Sequence, residues 1–359
     1  MPREGSPHAE LVHAPLRRAH RPRAARTRRL QRRRRRRHRR LRRGRRLRRR
    51  GRLLPGDRRA PLRHTEIAAE PTRIATVSWV NADTALALDI VPVGLPLVEW
   101  GGNDNQSTDW IDAKLEELGA SWGSENAPTA YSEADGVNTD EIAALTPDLI
   151  IAAYSGLTEE EYATLSKIAP TIGPLAANYT ASWEEVLTAV GTATGRSDAA
   201  AELAEQLTAD LAAVGEENPA VAESTFIAAS LSTTDHTISI YSGDDTRPRF
   251  FTALGMTQAE VVTENTADEN TFYFDWSAER GDELVSDILY TWAAAGDTVE
   301  TFQDDPLFAQ IPAVASGALV LTPDDHQTLS ISAASVLSLP WALENVVPSV
   351  IEAAQTAQA

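Results

Sequence analysis

The sequence contains no cysteine, which excludes disulfides and thiolate metal sites. No apolar run reaches the ~18 residues needed to span a bilayer. The N-terminus lacks the apolar stretch of a secretory signal. After residue 65 only two histidines occur, His236 and His326. Two such ligands and no cysteine are a poor fit to a zinc or manganese site. Cations are equally scarce there: five Arg and two Lys stand against 48 acids, a balance of −41. That charge repels a phosphate backbone and argues against nucleic acid as a partner. An acid-rich surface of this kind stays soluble by self-repulsion that salt screens, and fits a salt-tolerant host.

Residues 1–65 are the reverse, with 27 Arg, no Lys and three acids, a balance of +24. Such a segment reads as a nucleic-acid or membrane arm, or as a disordered tail with too little apolar surface to fold. A third reading is favoured. Its alphabet of Arg, Pro, Gly, Ala, Leu and His is that of GC-rich DNA translated out of frame. An acidic linker behind a signal peptide would then stand where the Arg-rich head is written.

The remaining 294 residues are long enough for two lobes. Arg73 to Val80 is a short β-rich apolar run, predicted as a buried strand, and Asn81 is placed to cap the helix after it. Further strands are predicted over 91–95, 148–153 and 171–175. They alternate with helices over 107–118, 139–145 and 158–168, the last opened by the capping box Thr158-Glu-Glu-Glu161. This alternation predicts an α/β fold with a largely parallel sheet. Residues 197–215 carry Leu203, Leu207, Leu211 and Val214 on one stripe. That predicts a helix ~27 Å long, ended by Gly215 and able to brace two lobes. Strands are predicted again over 226–231, 237–241, 287–292 and 318–322, with helices over 248–254 and 335–354, the latter interrupted by Pro340 and Pro348. An echo links the halves: Asp140 and Glu279 each stand eight residues before an Asp that opens an apolar strand.

These residues resemble the binding proteins that serve ABC importers of ferric siderophores, haem and vitamin B12. The resemblance rests on Asp140-Glu-Ile-Ala-Ala-Leu-Thr-Pro-Asp-Leu-Ile-Ile-Ala-Ala-Tyr-Ser-Gly156 and Glu160-Glu-Tyr-Ala-Thr-Leu-Ser-Lys-Ile-Ala-Pro170. It extends to Asp305-Pro-Leu-Phe-Ala-Gln-Ile-Pro-Ala-Val-Ala-Ser-Gly317 and Leu337-Ser-Leu-Pro-Trp-Ala-Leu343, while Trp100-Gly-Gly-Asn103 resembles the iron–siderophore branch. The resemblance implies two Rossmann-like α/β lobes joined by one long helix, with a ligand cleft between them. The expected organisation is an Arg-rich head over 1–65, an N-terminal lobe over 66–196, a connecting helix over 197–216 and a C-terminal lobe over 217–359. It also implies a monomeric extracytoplasmic binding protein, without enzymatic activity. Such a protein captures a ferric siderophore, holds iron only through that chelate, and delivers it to an ABC permease. Haem or cobalamin is the alternative cargo. The family carries a signal peptide, often with a lipid-bearing Cys, where this chain has its Arg-rich head.

By the same resemblance, one acid on each lobe docks on permease arginines, at Asp140, or its neighbour Glu141, and at Glu279. A pair of exposed acids can set the register of a cationic partner surface, although an acid opening a helix also suits the helix dipole. Loops after strand ends line the cleft of an α/β fold, which selects Trp79, Trp100, Tyr154, Tyr241 and Trp276 as ligand-binding aromatics. Trp110, Trp183, Trp292 and Trp341 are read as core. Arg247 and Arg249 stand out because cations are so few. They are candidates to grip an anionic chelate, or to pair locally with Asp244 and Asp245. The scarcity of cations favours a near-neutral hydroxamate or mixed chelate over a triply charged catecholate. The pattern Gly119-Ala-Ser-Trp-Gly123 offers a remote hydrolase reading through Ser121. A helix precedes it where a nucleophile elbow needs a strand.

Overall fold

The computed structural model describes residues 67, 69–177, 179–266, 272–292, 294 and 296–359. The Arg-rich head lies outside the described residues. In the first half, β1 (Ile74–Thr76), β2 (Gly94–Pro96), β3 (Thr129–Tyr131), β4 (Leu149–Ile151) and β5 (Thr171–Ile172) form one sheet. Its order is β3-β2-β1-β4-β5 and every pair is parallel. The second half holds β6 (Thr225–Leu231), β7 (Thr237–Tyr241), β8 (Thr257–Gln258), β9 (Tyr273–Ser277), β10 (Ile288–Trp292) and β11 (Leu319–Thr322). Here the order is β11-β10-β6-β7-β9, with β8 also on β6. This sheet is mixed, because β7 runs antiparallel to both β6 and β9.

The acid-to-strand echo has a structural meaning. Asp148, just before β4, accepts hydrogen bonds from the backbone N–H groups of Thr72 and Arg73. Asp287, just before β10, accepts from the N–H of Thr225 at 2.7 Å. In each lobe the carboxylate ties the incoming strand to the start of its parallel neighbour, β1 or β6. Burial works against the Asp148 charge, but these donors hold its carboxyl below the usual range.

Between the two sheets in sequence runs the helix Ser197–Glu217. It packs against the helix Trp183–Ala193 before it and against Thr246–Ala253 and Ser338–Asn345 after it. Leu207 and Leu211 of the expected stripe are buried, with Leu203 and Val214 at its margins. One apolar cluster runs from Ile74, Leu149 and Ile151 through Leu207 and Leu211 to Phe226, Tyr290 and Val320. Separate clusters cover the other face of each sheet, Ile150 and Ile142 in the first and Ile227 and Leu289 in the second. The fold is therefore two α/β lobes joined by one long helix and sharing a core across it.

Several boundaries differ from expectation for physical reasons. The strand predicted over Arg73 to Val80 stops at Thr76, because Ser78 and Val80 adopt positive φ. Asn81 does not cap its helix; its side chain is drawn into the sheet edge. The long helix runs through Gly215 to Glu217. Gly215 is required there for close approach, since a Cβ would lie 2.3 Å from the Leu254 carbonyl oxygen. Pro340 and Pro348 fall in the first turns of two separate helices, Ser338–Asn345 and Val347–Ala357, where proline is tolerated.

Candidate ligand-binding cleft

The order β3-β2-β1-β4-β5 reverses direction between β1 and β4, and a crevice opens beyond the carboxyl ends of strands at such a point. Trp79 follows β1 and Tyr154 follows β4. Asn81, fully buried, fastens the two ends together. Its amide donates to the carbonyls of Val77 (2.6 Å), Trp79 (3.0 Å) and Tyr154 (2.8 Å), and its oxygen accepts the Tyr154 N–H at 3.1 Å. Trp79 remains 40% exposed, so its indole is available to a ligand. Tyr179 bridges it to Tyr154, with ring centroids 6.1 and 5.5 Å away. Gly156 makes room for that ring, since a Cβ there would lie 2.8 Å from it.

The second lobe contributes Tyr241 at the end of β7 and the helix Thr246–Ala253. Asp245 caps this helix by accepting the Arg247 N–H at 2.9 Å. It also takes the Arg247 guanidinium in a fork, with Nε and Nη2 both at 2.7 Å. The guanidinium carbon lies 3.4 Å from the Tyr241 ring centroid and 5.7 Å from that of Trp292, and the two rings stack 6.1 Å apart. Burial works against the Arg247 charge, but the Asp245 bonds outweigh it and raise its pKa. Burial pushes the Tyr241 and Tyr154 phenols up, with Asp245 adding to it in both. The Tyr154 phenol feels the charges of Asp245 and Arg247 from the other lobe. Arg249 donates to the Thr180 carbonyl at 2.8 Å and lies 3.9 Å from Asp244. The structure thus links Trp79, Tyr154, Tyr241 and Arg247 through Tyr179 and Trp292, but Tyr154 and Tyr241, expected to face the ligand, are only 3% and 5% exposed and belong to the core.

Other candidates lie elsewhere. Trp100 is 39% exposed and adjoins Gly101, whose carbonyl accepts a hydrogen bond from His326 Nδ1 at 2.6 Å. Trp276 lies within β9 opposite Ile238, whereas Tyr273 is opposite Tyr241. Its indole donates to the Arg280 carbonyl, and the Arg280 guanidinium sits 4.4 Å over its ring. Trp276 is therefore part of a strand and not of a loop beyond one. Asp140 and Glu141 are exposed in the first turn of the helix Thr139–Ala144, and Glu279 is exposed in the turn Ala278–Glu283. Trp292, read as core, is a half-buried neighbour of Arg247, while Trp110 is core and donates through Nε1 to Asp83.

Asp83 is a feature that sequence reasoning missed. It is buried, lines a cavity with Trp79, Val98, Trp110 and Leu329, and also accepts from Ser335 Oγ at 2.6 Å. Burial raises its pKa, and the Ser335 and Trp110 donors pull the other way. Ser121 sits in a turn after the helix Asp109–Glu117, not on a strand-to-helix elbow. His236 is engaged with Asp305. Among the described residues no three His, Cys, Asp or Glu side chains converge on a metal position, and no helix is long and apolar enough to cross a membrane.

The periplasmic binding protein family model matches residues 74–326. Among solved structures, PiaA of Streptococcus pneumoniae TIGR4 in complex with ferrichrome is 29% identical, with a TM-score of 0.73 over 81% of this chain and 96% of that one. A second PiaA structure, described as an iron uptake ABC transporter substrate-binding protein, is 27% identical with a TM-score of 0.69 over 80% and 95%. SirA of Staphylococcus aureus, complexed with staphyloferrin B, shares the fold at 19% identity and a TM-score of 0.62 over 80% and 95%. No curated protein matches the chain. The family match spans most of the chain and both lobes that face the cleft, and on that ground the protein belongs to the periplasmic binding protein family, as a binding protein and not an enzyme.

Proposed function

We propose that this protein captures a ferric siderophore outside the cytoplasm and delivers it to an ABC permease, and that the cargo is a near-neutral hydroxamate or mixed chelate. The observation that carries this is the aromatic run in which exposed Trp79 and Tyr179 lead to buried Tyr154, with Arg247 of the other lobe acting on Tyr154 and flanked by buried Tyr241 and half-buried Trp292. Such faces suit the bulky skeleton of an iron chelate. The solved relative at 29% identity holds ferrichrome. Charge supports the cargo class. Arg247 is already neutralised by Asp245, and Arg249 lies near Asp244. Among the described residues a triply anionic chelate would meet no free cationic cluster here, so a near-neutral one is the better match. Arg247 then serves as a rigid donor beside the Tyr241 face. Arg249 ties the lobes through the Thr180 carbonyl, and Trp100 and Trp276 belong to the candidate set only as aromatics apart from this group. Iron is held only through the chelate.

Exposed Asp140, Glu141 and Glu279 precede equivalent strands in the two lobes, which supports their role as docking acids for a cationic permease surface. The protein acts as a monomer, and it reaches the membrane through the permease or a lipid anchor.

Quenching of intrinsic tryptophan fluorescence tests this reading. Ferrichrome and ferrioxamine B are expected to quench at micromolar concentration or below. A ferric tris-catecholate, haemin and cobalamin are expected to bind at least about tenfold more weakly, a difference of ~1.4 kcal/mol. Tightest binding of the catecholate would overturn the cargo class. Binding of haemin or cobalamin alone would overturn the siderophore reading.

A further inference from the structure

The turn that presents Trp79 runs against backbone preference. Ser78 has φ +66° and Val80 φ +70°. For a β-branched valine that geometry is an outlier, which surrounding contacts must hold in place. Asn81 holds the far side of the turn through the Val77 and Trp79 carbonyls. The near side is held by a residue from another strand. Glu133, just beyond β3, accepts the Ser78 N–H on Oε2 at 2.9 Å. Its other oxygen, Oε1, is buried and has no hydrogen-bond partner among the described residues.

The groups facing Glu133 are mostly acidic. Glu99 follows β2 and accepts from Ser132 Oγ, and Glu161 lies on the helix Glu159–Leu165. On its own strand the Tyr131 phenol is buried and donates to the Thr76 carbonyl, while Glu141 acts on that phenol from the helix Thr139–Ala144.

We infer that Glu133 is a positioning residue for ligand capture: its carboxylate, through the Ser78 N–H, holds the Trp79 indole out in the cleft, and protonation of that carboxylate relaxes the turn. The role in capture rests on the proposed siderophore function; the control of Trp79 does not. Burial, with Glu161 and Glu99 nearby, pushes the Glu133 carboxyl up to about 7, although the Ser78 bond pulls it down. A charged acceptor makes a bond roughly twice as strong as a neutral one. Protonation is therefore expected to shift the held turn by about fivefold.

The test uses the full chain without ligand. The Trp79 contribution, taken as the near-ultraviolet circular dichroism of the wild type minus that of Trp79→Phe, is followed from about pH 5 to about pH 9. It is expected to titrate with a midpoint near 7. In Glu133→Gln it is expected to stay flat near the low-pH value, because the neutral amide oxygen accepts the Ser78 N–H only as weakly as the protonated carboxyl does, and it does not titrate. Glu133→Ala, without an acceptor, is expected to show the low-pH signal throughout. Ferrichrome affinity should fall about fivefold toward low pH in the wild type and not in Glu133→Gln. A wild-type Trp79 signal that does not titrate, or one that still titrates in Glu133→Gln, overturns the inference. Trp79 titration in a protein that binds no siderophore leaves the Glu133 assignment standing and removes the cargo.

Discussion

Arg247 has both nitrogens of its fork committed to Asp245 before any ligand arrives, and both side chains are largely buried. Removing one partner of such a pair leaves a buried charge uncompensated, at a cost of ~3–5 kcal/mol. Arg247→Ala is therefore expected to destabilise by that amount in urea unfolding. Asp245→Asn keeps the helix cap while removing the charge, so adding it to Arg247→Ala should recover more than half of the loss. Simple additivity of the two changes would show that the pair is not coupled. Arg247 was legible in the sequence because cations are so few, and Trp79 and Tyr154 because each follows a strand. Tyr179 was not, since it reaches the cleft only through a positive φ and the space above Gly156. Trp292 ends a buried strand, and strand periodicity alone does not say which face the cleft lies on.

Element ends were legible where local chemistry decides them. The Thr158–Glu161 capping box opens its helix as its spacing predicts. The same signature at Ser182 and Glu185 opens the helix Trp183–Ala193, and it was there to be read. The pattern misled where a residue serves tertiary packing. Gly215 has the look of a helix stop, yet it lets the long helix pass the Leu254 carbonyl. Two effects compete on Gly215→Ala. Helix propensity favours alanine by ~1 kcal/mol, whereas a Cβ 2.3 Å from a backbone oxygen forces the helix and the turn apart. Overpacking against backbone costs ~1–3 kcal/mol, and backbone yields less than a side chain. The expected outcome is a lower melting temperature. An unchanged or raised one would mean that the helix and the Leu254 turn are not packed in this way.

At the scale of the molecule, two α/β halves were legible from the alternation of elements, and the antiparallel β7 and β9 were not, because strand direction is set by pairing across the sheet. What joins the halves also sets how far they move. The long helix packs into both, and one apolar cluster runs through it. Side chains add ties between the halves: Arg249 to Thr180, His326 to Gly101, and Ser335 to Asp83. His326 also lies between Trp110 and Trp341, each 5.0 Å away, tilted to the first ring and edge-on to the second. A hinge swing would break these polar ties and open a shared core, whereas a small adjustment keeps them. Saturating ferrichrome is therefore expected to change the radius of gyration in solution scattering by less than ~1 Å, as in preorganised complexes. Arg249→Ala combined with Ser335→Ala cuts two of the ties. In that variant the free protein should be more open and contract more on binding, with weaker affinity because closure then carries an added ordering cost. A contraction above ~2 Å in the wild type would show that the ties are broken in the free state, and that the helix is a hinge and not a brace.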